Sequence, residues 1–279
     1  MSAPRQRPLR PGALAAAVAL LLATSAPGAA PGAPVRPGTV VRWAGEGLEW
    51  CEAAGRRFEP LAGACFYPVD LLRKAGLLEL ARGRSGRRET TAVRVRTFDY
   101  PVQKLTLPPR MVELSPEDLA RVERENRETA RLWTREGRRR FALPLGGPLD
   151  PLPQGGRFGH RRIINGRPRS PHGGSDYSAE GGTPVLAAAD GEVAMVADQF
   201  FGGNSVFVDH GDGLISMYMH MSRVDVAEGQ AVRRGERVGA VGSTGRATGP
   251  HLHFGVRWHG ARVDPALLLG EPEALPAVE

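Results

Sequence analysis

The chain has 279 residues and a formal net charge of +7 at pH 7. Hydrophobic residues make up 41% of it and charged residues 24%, values typical of globular proteins that exclude a fibrous or wholly disordered chain. Its only lysines are Lys74 and Lys104, so arginine supplies nearly all of the positive charge; this is a bias of composition, and we predict no nucleic-acid partner.

Residues 1–30 have the pattern of an export signal. A basic amino-terminal region with three arginines precedes an uninterrupted apolar segment at 13–23. Small residues at 25–30 then suit cleavage of a signal peptide. The apolar segment is shorter than the ~20 residues that a membrane-spanning helix needs. We therefore predict a signal peptide, with no membrane span after cleavage; an uncleaved membrane anchor is the alternative.

Export gives the two cysteines, Cys51 and Cys65, a clear interpretation. Outside the cytoplasm they would be oxidised, and a bridge across so short a loop stabilises the fold by ~3 kcal/mol. A zinc site at these thiols is disfavoured because no histidine precedes His160. We predict a structural disulfide, with two free buried thiols as the alternative.

Residues 31–110 are predicted to form a small β domain without recognisable chemistry. Segment 91–96 alternates between the two faces of a strand, as a half-exposed strand does. Such a domain would serve packing or substrate placement. The strand-like segments lie at 39–43, 77–80, 91–97 and 102–107.

A helical linker is predicted at 111–140. Ser115 suits the cap of a helix, Pro116 suits its first turn, and the two acids that follow face the positive end of the helix dipole. We expect a stripe of apolar or neutral side chains to form a packing face. Its members are Leu119, Val122, Asn126, Thr129 and Trp133. No separate role is expected of the arginines at 138–140.

From residue 141 onward the sequence consists of short apolar segments separated by glycines. The sequence HGDG at 210–213 predicts a hairpin turn, and no alternation of strands with helices indicates a parallel sheet. We predict an all-β, mainly antiparallel domain at 141–270 and a tail at 271–279. The strand-like segments lie at 185–188, 192–196, 205–209, 214–219, 237–241 and 251–257.

Four histidines and one aspartate lie in three compact settings. His172 and Asp176 are four positions apart in a Gly-rich bend that lets both side chains converge. His220 ends a strand-like segment, and a spacing of two places His251 and His253 on one face of a strand. Two histidines and one aspartate as zinc ligands would leave a position open for water, and the other two histidines would serve proton transfer or oxyanion stabilisation.

Several spaced motifs share one resemblance. They are His172-x-x-x-Asp176, GTPV at 182–185, GEV at 191–193, YMH at 218–220 and above all GSTGRATGPHLHF at 242–254. Over about 158–265 this set resembles the M23 (LytM/lysostaphin-type) zinc endopeptidases. The resemblance implies an antiparallel β catalytic domain, Zn²⁺ as cofactor, and His172, Asp176 and His253 as the metal ligands. It also implies that His220 and His251 are catalytic without binding the metal.

The family cleaves peptide bonds in bacterial peptidoglycan, so the resemblance implies the peptide stems of the wall as substrate. The sequence FGHRR at 158–162, with Asn165-Gly166, resembles members from diderm bacteria, which act in the periplasm on D-alanyl–diaminopimelate cross-links. We therefore expect a periplasmic location, or otherwise a secreted or wall-associated one. A regulatory protein partner is compatible with this role.

Two functions compete for these residues. No His-Glu-x-x-His sequence occurs, so the glutamate base of helix-borne zinc proteases is absent, and His220 or His251 must take the proton or stabilise the tetrahedral oxyanion. The alternative is a catalytically inactive LytM-type regulator or binding module for another wall hydrolase. Such relatives typically lack one or more of the five positions, and all five are present here, which favours the enzyme.

The remaining histidines, expected at the surface or beside the site, are His160, His210 and His259.

Overall fold

The computed structural model describes residues 33–278, so the predicted signal at 1–30 lies outside the described residues. The strands of the amino-terminal half are β1 (Val40–Ala44), β2 (Leu48–Ala53), β3 (Arg56–Phe58), β4 (Ala64–Pro68), β5 (Gly76–Arg84), β6 (Arg87–Val95) and β7 (Val102–Leu105). The helices are α1 (Pro116–Ala130) and α2 (Pro265–Leu269), with 3₁₀ turns at Pro109–Met111, Arg131–Thr134 and Pro272–Ala274. Within residues 33–278, no helix has the length and apolar character that crossing a membrane requires.

The carboxyl-terminal half contains the remaining strands. They are β8 (Gly155–Gly156), β9 (Arg161–Ile164), β10 (Arg167–Arg169), β11 (Gly174–Ser178), β12 (Pro184–Leu186), β13 (Gly191–Gln199), β14 (Gly203–Asp209), β15 (Leu214–Met221), β16 (Arg223–Val224), β17 (Ala231–Val232), β18 (Arg237–Ala240), β19 (His251–Trp258) and β20 (Ala261–Val263). A long sheet runs in the order β17-β13-β14-β15-β19-β11-β8, with β20 beside β19.

The strands pair mainly antiparallel, which confirms the predicted fold class. The Gly-rich turn at 210–213 joins β14 to β15 as a hairpin, as predicted. Strand β7 departs from this pattern, since it pairs parallel with β9. A strand from the amino-terminal half thus forms part of a three-stranded sheet, β10-β9-β7, in the carboxyl-terminal half.

The main core lies between the long sheet and a smaller sheet, β12-β18-β16. Val206, Tyr218 and Phe254 of the long sheet are fully buried, and they belong to one cluster with Val185 and Val238 of the small sheet. The opposite face of β14 and β15 is covered in part by the 3₁₀ turn that follows α1. Both faces of these central strands are covered, so their residues are buried almost throughout instead of alternating between buried and exposed.

Helix α1 begins where its sequence predicts but packs less extensively than expected. The Ser115 hydroxyl accepts a hydrogen bond from the Asp118 N–H at 3.1 Å and caps the helix. Of the expected packing stripe, Val122 is buried whereas Leu119 is 49% exposed and Asn126 is exposed too, so the predicted packing face is wrong at Leu119 and Asn126. The helix is covered with arginines and glutamates, and such a surface leaves little apolar area to bury.

The amino-terminal half contains two further sheets, β1-β4 and β3-β2-β5-β6. A disulfide joins Cys51 of β2 to Cys65 of β4, as predicted, and both residues are fully buried. The segment after the last 3₁₀ turn returns to β1: the Arg42 N–H donates to the Pro276 carbonyl at 2.8 Å, and the Val278 N–H donates to the Arg42 carbonyl at 2.9 Å. Strand β1 therefore pairs both with β4 and with residues 276–278, which lie far from it in the sequence.

Arg139 connects the two halves, a role that sequence reasoning did not assign to it. Its guanidinium pairs with Asp212 at 2.7 Å and donates to the carbonyl oxygens of Glu59 and Pro60 at 2.7 and 2.8 Å. Hydrogen bonds from a charged donor are among the stronger ones in proteins. The turn between β14 and β15 is thereby tied to the amino-terminal half.

His210 is completely buried, so the expectation that it lies at the surface or beside the site is wrong. Its ring nitrogens lie 2.8 Å from the carbonyl oxygen of Asp190 and 2.8 Å from the hydroxyl of Ser216. Burial lowers the pKa of His210 to about 4, so the ring is neutral at pH 7. The His210 ring can be buried because both of its nitrogens form hydrogen bonds inside the protein.

Replacing Cys51 and Cys65 together by alanine should lower the free energy of unfolding. The bridge closes a loop with a sequence separation of 14, and constraining the unfolded chain over such a loop is worth about 3 kcal/mol. Urea unfolding followed by fluorescence measures the difference. A reductant should destabilise the wild type and leave the double variant unchanged; equal midpoints for the oxidised wild type and the variant would contradict the prediction.

Candidate metal centre and groove

The register of two paired strands brings an aspartate and two histidines together. In the pairing of β11 with β19, Asp176 lies opposite His253 and Ser178 lies opposite His251. Because side chains alternate along a strand, His251 and His253 share one face. Strand β11 presents Asp176 on that same side of the sheet, so the carboxylate lies directly beside the imidazole of His253.

His172 completes this group from the bend just before β11. Its Nε2 lies 2.8 Å from Nδ1 of His253 and 3.0 Å from Oδ1 of Asp176, and the His253 nitrogen lies 2.9 Å from the same oxygen. The structure therefore brings together the three residues predicted as metal ligands. Their three atoms are close enough to coordinate one ion.

The donor set suits a zinc ion. Nδ1 of His172 lies 2.9 Å from the Arg157 carbonyl oxygen, which can only accept, so Nδ1 carries the hydrogen and Nε2 keeps its lone pair. That lone pair faces the carboxylate of Asp176 at 3.0 Å, an arrangement that needs a proton or a cation between the two atoms. Two imidazoles and one carboxylate are zinc ligands and leave one tetrahedral position free.

A glycine makes room for the His253 ring. A Cβ at Gly174 would lie 2.5 Å from the Phe254 carbonyl oxygen and 2.8 Å from Nε2 of His253. Real Cβ atoms essentially never approach backbone so closely, so any larger residue at Gly174 must displace the ring or the strand. The glycine-rich bend that the sequence suggested is thus needed for space beside the candidate ligands.

The protonation states of the three residues fit metal binding. Burial lowers the pKa of His172 and lowers the pKa of His253 to about 4, so both rings are neutral at pH 7. Burial opposes ionisation of Asp176, but in the metal-free protein a proton on the facing ring nitrogens of His172 and His253 outweighs burial and holds the pKa of Asp176 below its usual value. Neutral imidazoles and an ionised carboxylate are the forms that bind a metal.

His220 reaches the same place from an irregularity in β15. Between the pairs Asn204–Met221 and Val206–Tyr218 the register shifts, so that Met219 and His220 lie opposite a single residue of β14. The φ angle of His220 is +66°, a left-handed conformation that non-glycine residues rarely adopt. This bulge turns the His220 ring toward His251, at 4.7 Å between ring centroids.

Backbone carbonyl groups set the orientation of this second pair of rings. Nδ1 of His220 lies 2.9 Å from the Thr244 carbonyl oxygen, and Nδ1 of His251 lies 2.9 Å from that of Gly249. Each Nδ1 therefore carries a hydrogen, and each Nε2 has a free lone pair. Nε2 of His251 lies 3.9 Å from Oδ1 of Asp176, beside the candidate ligands. All five residues predicted as the site are thus brought together.

A groove of about 670 Å³ opens over these residues. One wall comes from β7 and β9, and the other comes from the loop before β19 and from the turn between β13 and β14. Side chains on the walls are Gln103, Leu105, Arg162, Ile164, Phe201 and Arg246. Sequence reasoning assigned no role to these six, because a single arginine or leucine has no pattern. Two of them lie within motifs that the sequence analysis noted, Arg162 in 158–162 and Arg246 in 242–254.

A comparison with protein families supports this picture. The model described as "Peptidase family M23" matches residues 170–265. The chain is similar to the peptidoglycan DD-endopeptidase ShyA of Vibrio cholerae, with 45% identity over 85 residues, which are 30% of this chain and 20% of that protein. It is similar to the DD-carboxypeptidase/endopeptidase Mpg of Neisseria meningitidis, with 46% identity over 107 residues, 38% of this chain and 25% of that protein.

The chain thus spans a quarter or less of the length of these two curated relatives.

A solved structure gives a wider match. A Pseudomonas aeruginosa protein assigned to peptidase M23 shares 34% sequence identity with the chain, with a TM-score of 0.66. The match covers 84% of this chain and 94% of that one, and it therefore includes the amino-terminal half as well as the groove.

Gly174→Ala should weaken binding of zinc. The added methyl group displaces His253, and disturbing the support of a metal ligand typically costs about 10–100-fold in affinity. Titration of metal-free protein with zinc, followed by calorimetry, measures the change. Gly181→Ala is the matched control, because a Cβ at Gly181 meets no atom within 4 Å. An unchanged zinc affinity in Gly174→Ala would contradict the assignment of this cluster as a metal centre.

Proposed function

The chain belongs to peptidase family M23, and we propose that it is a zinc-dependent endopeptidase that hydrolyses peptide cross-links in bacterial peptidoglycan. One observation carries the proposal: three potential ligand atoms converge beneath an open groove, with two further histidines beside them. A structural zinc site is closed by four protein ligands, whereas a hydrolytic site keeps a position open. The groove provides access for an extended peptide.

His172, Asp176 and His253 would hold the zinc ion. A zinc ion in such a site supplies Lewis-acid activation of water and of the scissile carbonyl. The protein keeps the three ligands in one geometry through the β11–β19 register and through the bond from His172 to the Arg157 carbonyl. Ligands held in this way need little rearrangement when the metal binds.

His220 and His251 are proposed to move the proton and to stabilise the oxyanion. Burial is the main cause that lowers the pKa of His220 to about 4, and the nearby His253 and His251 add to it. A neutral His220 can accept a proton on Nε2, and once protonated it can donate from that nitrogen. His251 has the same free Nε2, so the pair supplies both an acceptor and a donor at the open side of the metal centre.

The bond cleaved is proposed to be the D-alanyl–diaminopimelate cross-link. The relatives ShyA and Mpg are named as a DD-endopeptidase and a DD-carboxypeptidase/endopeptidase, which supports a bond between D-configured centres. Export to the periplasm remains part of the proposal. The buried disulfide Cys51–Cys65 supports it, because disulfides persist in oxidising compartments.

His220→Ala and His251→Ala should separate catalysis from metal binding. Each variant should retain zinc as the wild type does, because neither ring is a proposed ligand, and should lose about 10²–10⁴-fold in kcat, as expected when a general acid or base is removed. His253→Ala is the matched contrast: the same substitution at a proposed ligand should abolish zinc binding. Zinc content is measured by mass spectrometry, and activity by release of muropeptides from purified sacculi with and without a chelator.

Two results would overturn the proposal. Wild-type protein that binds zinc but releases no muropeptides would indicate the inactive, regulatory form of the fold. Wild-type rates in His220→Ala or His251→Ala would show that the proton is moved by a different group.

A further inference from the structure

Two arginines in the groove lack a partner among residues 33–278. Arg162 lies in β9 and Arg246 lies in the loop before β19, and both line the groove. No acidic side chain hydrogen-bonds to either guanidinium, and Nε of Arg162 is buried without any hydrogen-bond partner. The carboxylate on the groove surface is that of Asp176, which the proposed metal site already uses.

These charges are close to each other and to the metal centre. Burial, followed by the charges of Arg162 and Arg169, lowers the pKa of Arg246 to about 10. The Arg162 and Arg246 side chains line the same groove as Asp176 and His253, two of the proposed metal ligands. Half-buried like charges without a counter-charge destabilise a folded protein. A bound anion would remove that cost.

The guanidinium group of Arg246 is held in place before any ligand arrives. The Arg246 guanidinium lies over the Phe201 ring at 4.0 Å, and the backbone N–H of Arg246 donates to the Phe201 carbonyl at 2.9 Å. Arg162 lies in the middle strand of the sheet β10-β9-β7, opposite Gln103 and Arg169. Donors that are already ordered lose little conformational entropy on binding, which favours recognition of a small anion.

We propose that Arg162 and Arg246 form a carboxylate subsite that binds the free carboxylate next to the scissile bond of a peptide stem. The proposal rests on the proposed function. In a D-alanyl–diaminopimelate cross-link, the carbon attached to the scissile nitrogen also carries a carboxylate, so substrate charge lies beside the reacting bond. A planar guanidinium binds a carboxylate through two parallel hydrogen bonds. The subsite would select stems with a free carboxylate over amidated ones.

The test compares two cross-linked muropeptides that differ in one group: a free carboxylate or an amide at the diaminopimelate centre beside the scissile bond. Wild-type protein supplied with zinc should prefer the carboxylate form in kcat/KM. Arg162→Gln and Arg246→Gln should each lose about 10–100-fold on the carboxylate form, the effect of removing a hydrogen bond to a charged group. On the amidated form each variant should lose much less, because an uncharged amide accepts a weaker hydrogen bond, and this difference between the two substrates is not expected from a variant that is merely misfolded.

Arg167→Gln is the control for a change of net charge. Arg167 lies in the neighbouring strand β10, is exposed, and does not line the groove; its variant should behave as the wild type on both substrates. Arg246→Lys keeps the charge and loses the paired geometry, so its rate on the carboxylate form should lie between those of wild type and Arg246→Gln.

Equal losses on both substrates would assign the arginines to general transition-state stabilisation or to folding, and would overturn the subsite. Unchanged rates on both would overturn it as well. If wild type cleaves neither muropeptide, the proposed function fails, and calorimetric binding of the two uncleaved muropeptides then decides the subsite alone. Tighter binding of the carboxylate form, lost in Arg162→Gln, sustains the inference; equal binding of the two forms rejects it.

Discussion

The pairing of β11 with β19 is the constraint on which the proposed site depends. It sets Asp176 opposite His253, and a slip by one residue would turn one of these two side chains to the other face of the sheet. The register is held by burial, because Leu252 and Phe254, which alternate with the two histidines, are fully buried. Packing of the apolar face therefore determines how Asp176 and His253, two of the three proposed ligands, face each other.

Around this rigid pair the protein places groups that are unfavourable on their own. His220 has a left-handed backbone, His172 directs a lone pair at a carboxylate, and Arg162 has a buried nitrogen without a partner. Strained or unsatisfied groups persist only where the surrounding structure over-determines them. His220 and Arg162 line one groove, and His172 is buried beside it, where a metal ion and a charged peptide would relieve the last two of these exceptions.

The sequence predicts much of this architecture where the signal is local. The cap at Ser115 marks the start of α1, the turn at 210–213 marks a hairpin, and the spacing of His251 and His253 places both on one face. Features that depend on distant partners were not predictable. The parallel pairing of β7 with β9, the bulge that turns His220 and the contacts of Arg139 arise from tertiary packing, and a lone arginine in a sequence has no periodicity that would reveal its neighbours.

The return of residues 276–278 to β1 bears on the order in which the molecule is completed during synthesis. The Arg42 backbone bonds to Pro276 and Val278, and Val278 joins the cluster that contains Val41 and Tyr67. Strand β1 is synthesised early, but it lacks its pairing with residues 276–278 until position 278 has been synthesised. Contacts of such high sequence separation slow folding. Pairing of residues 276–278 with β1 is therefore expected to be a late step in folding.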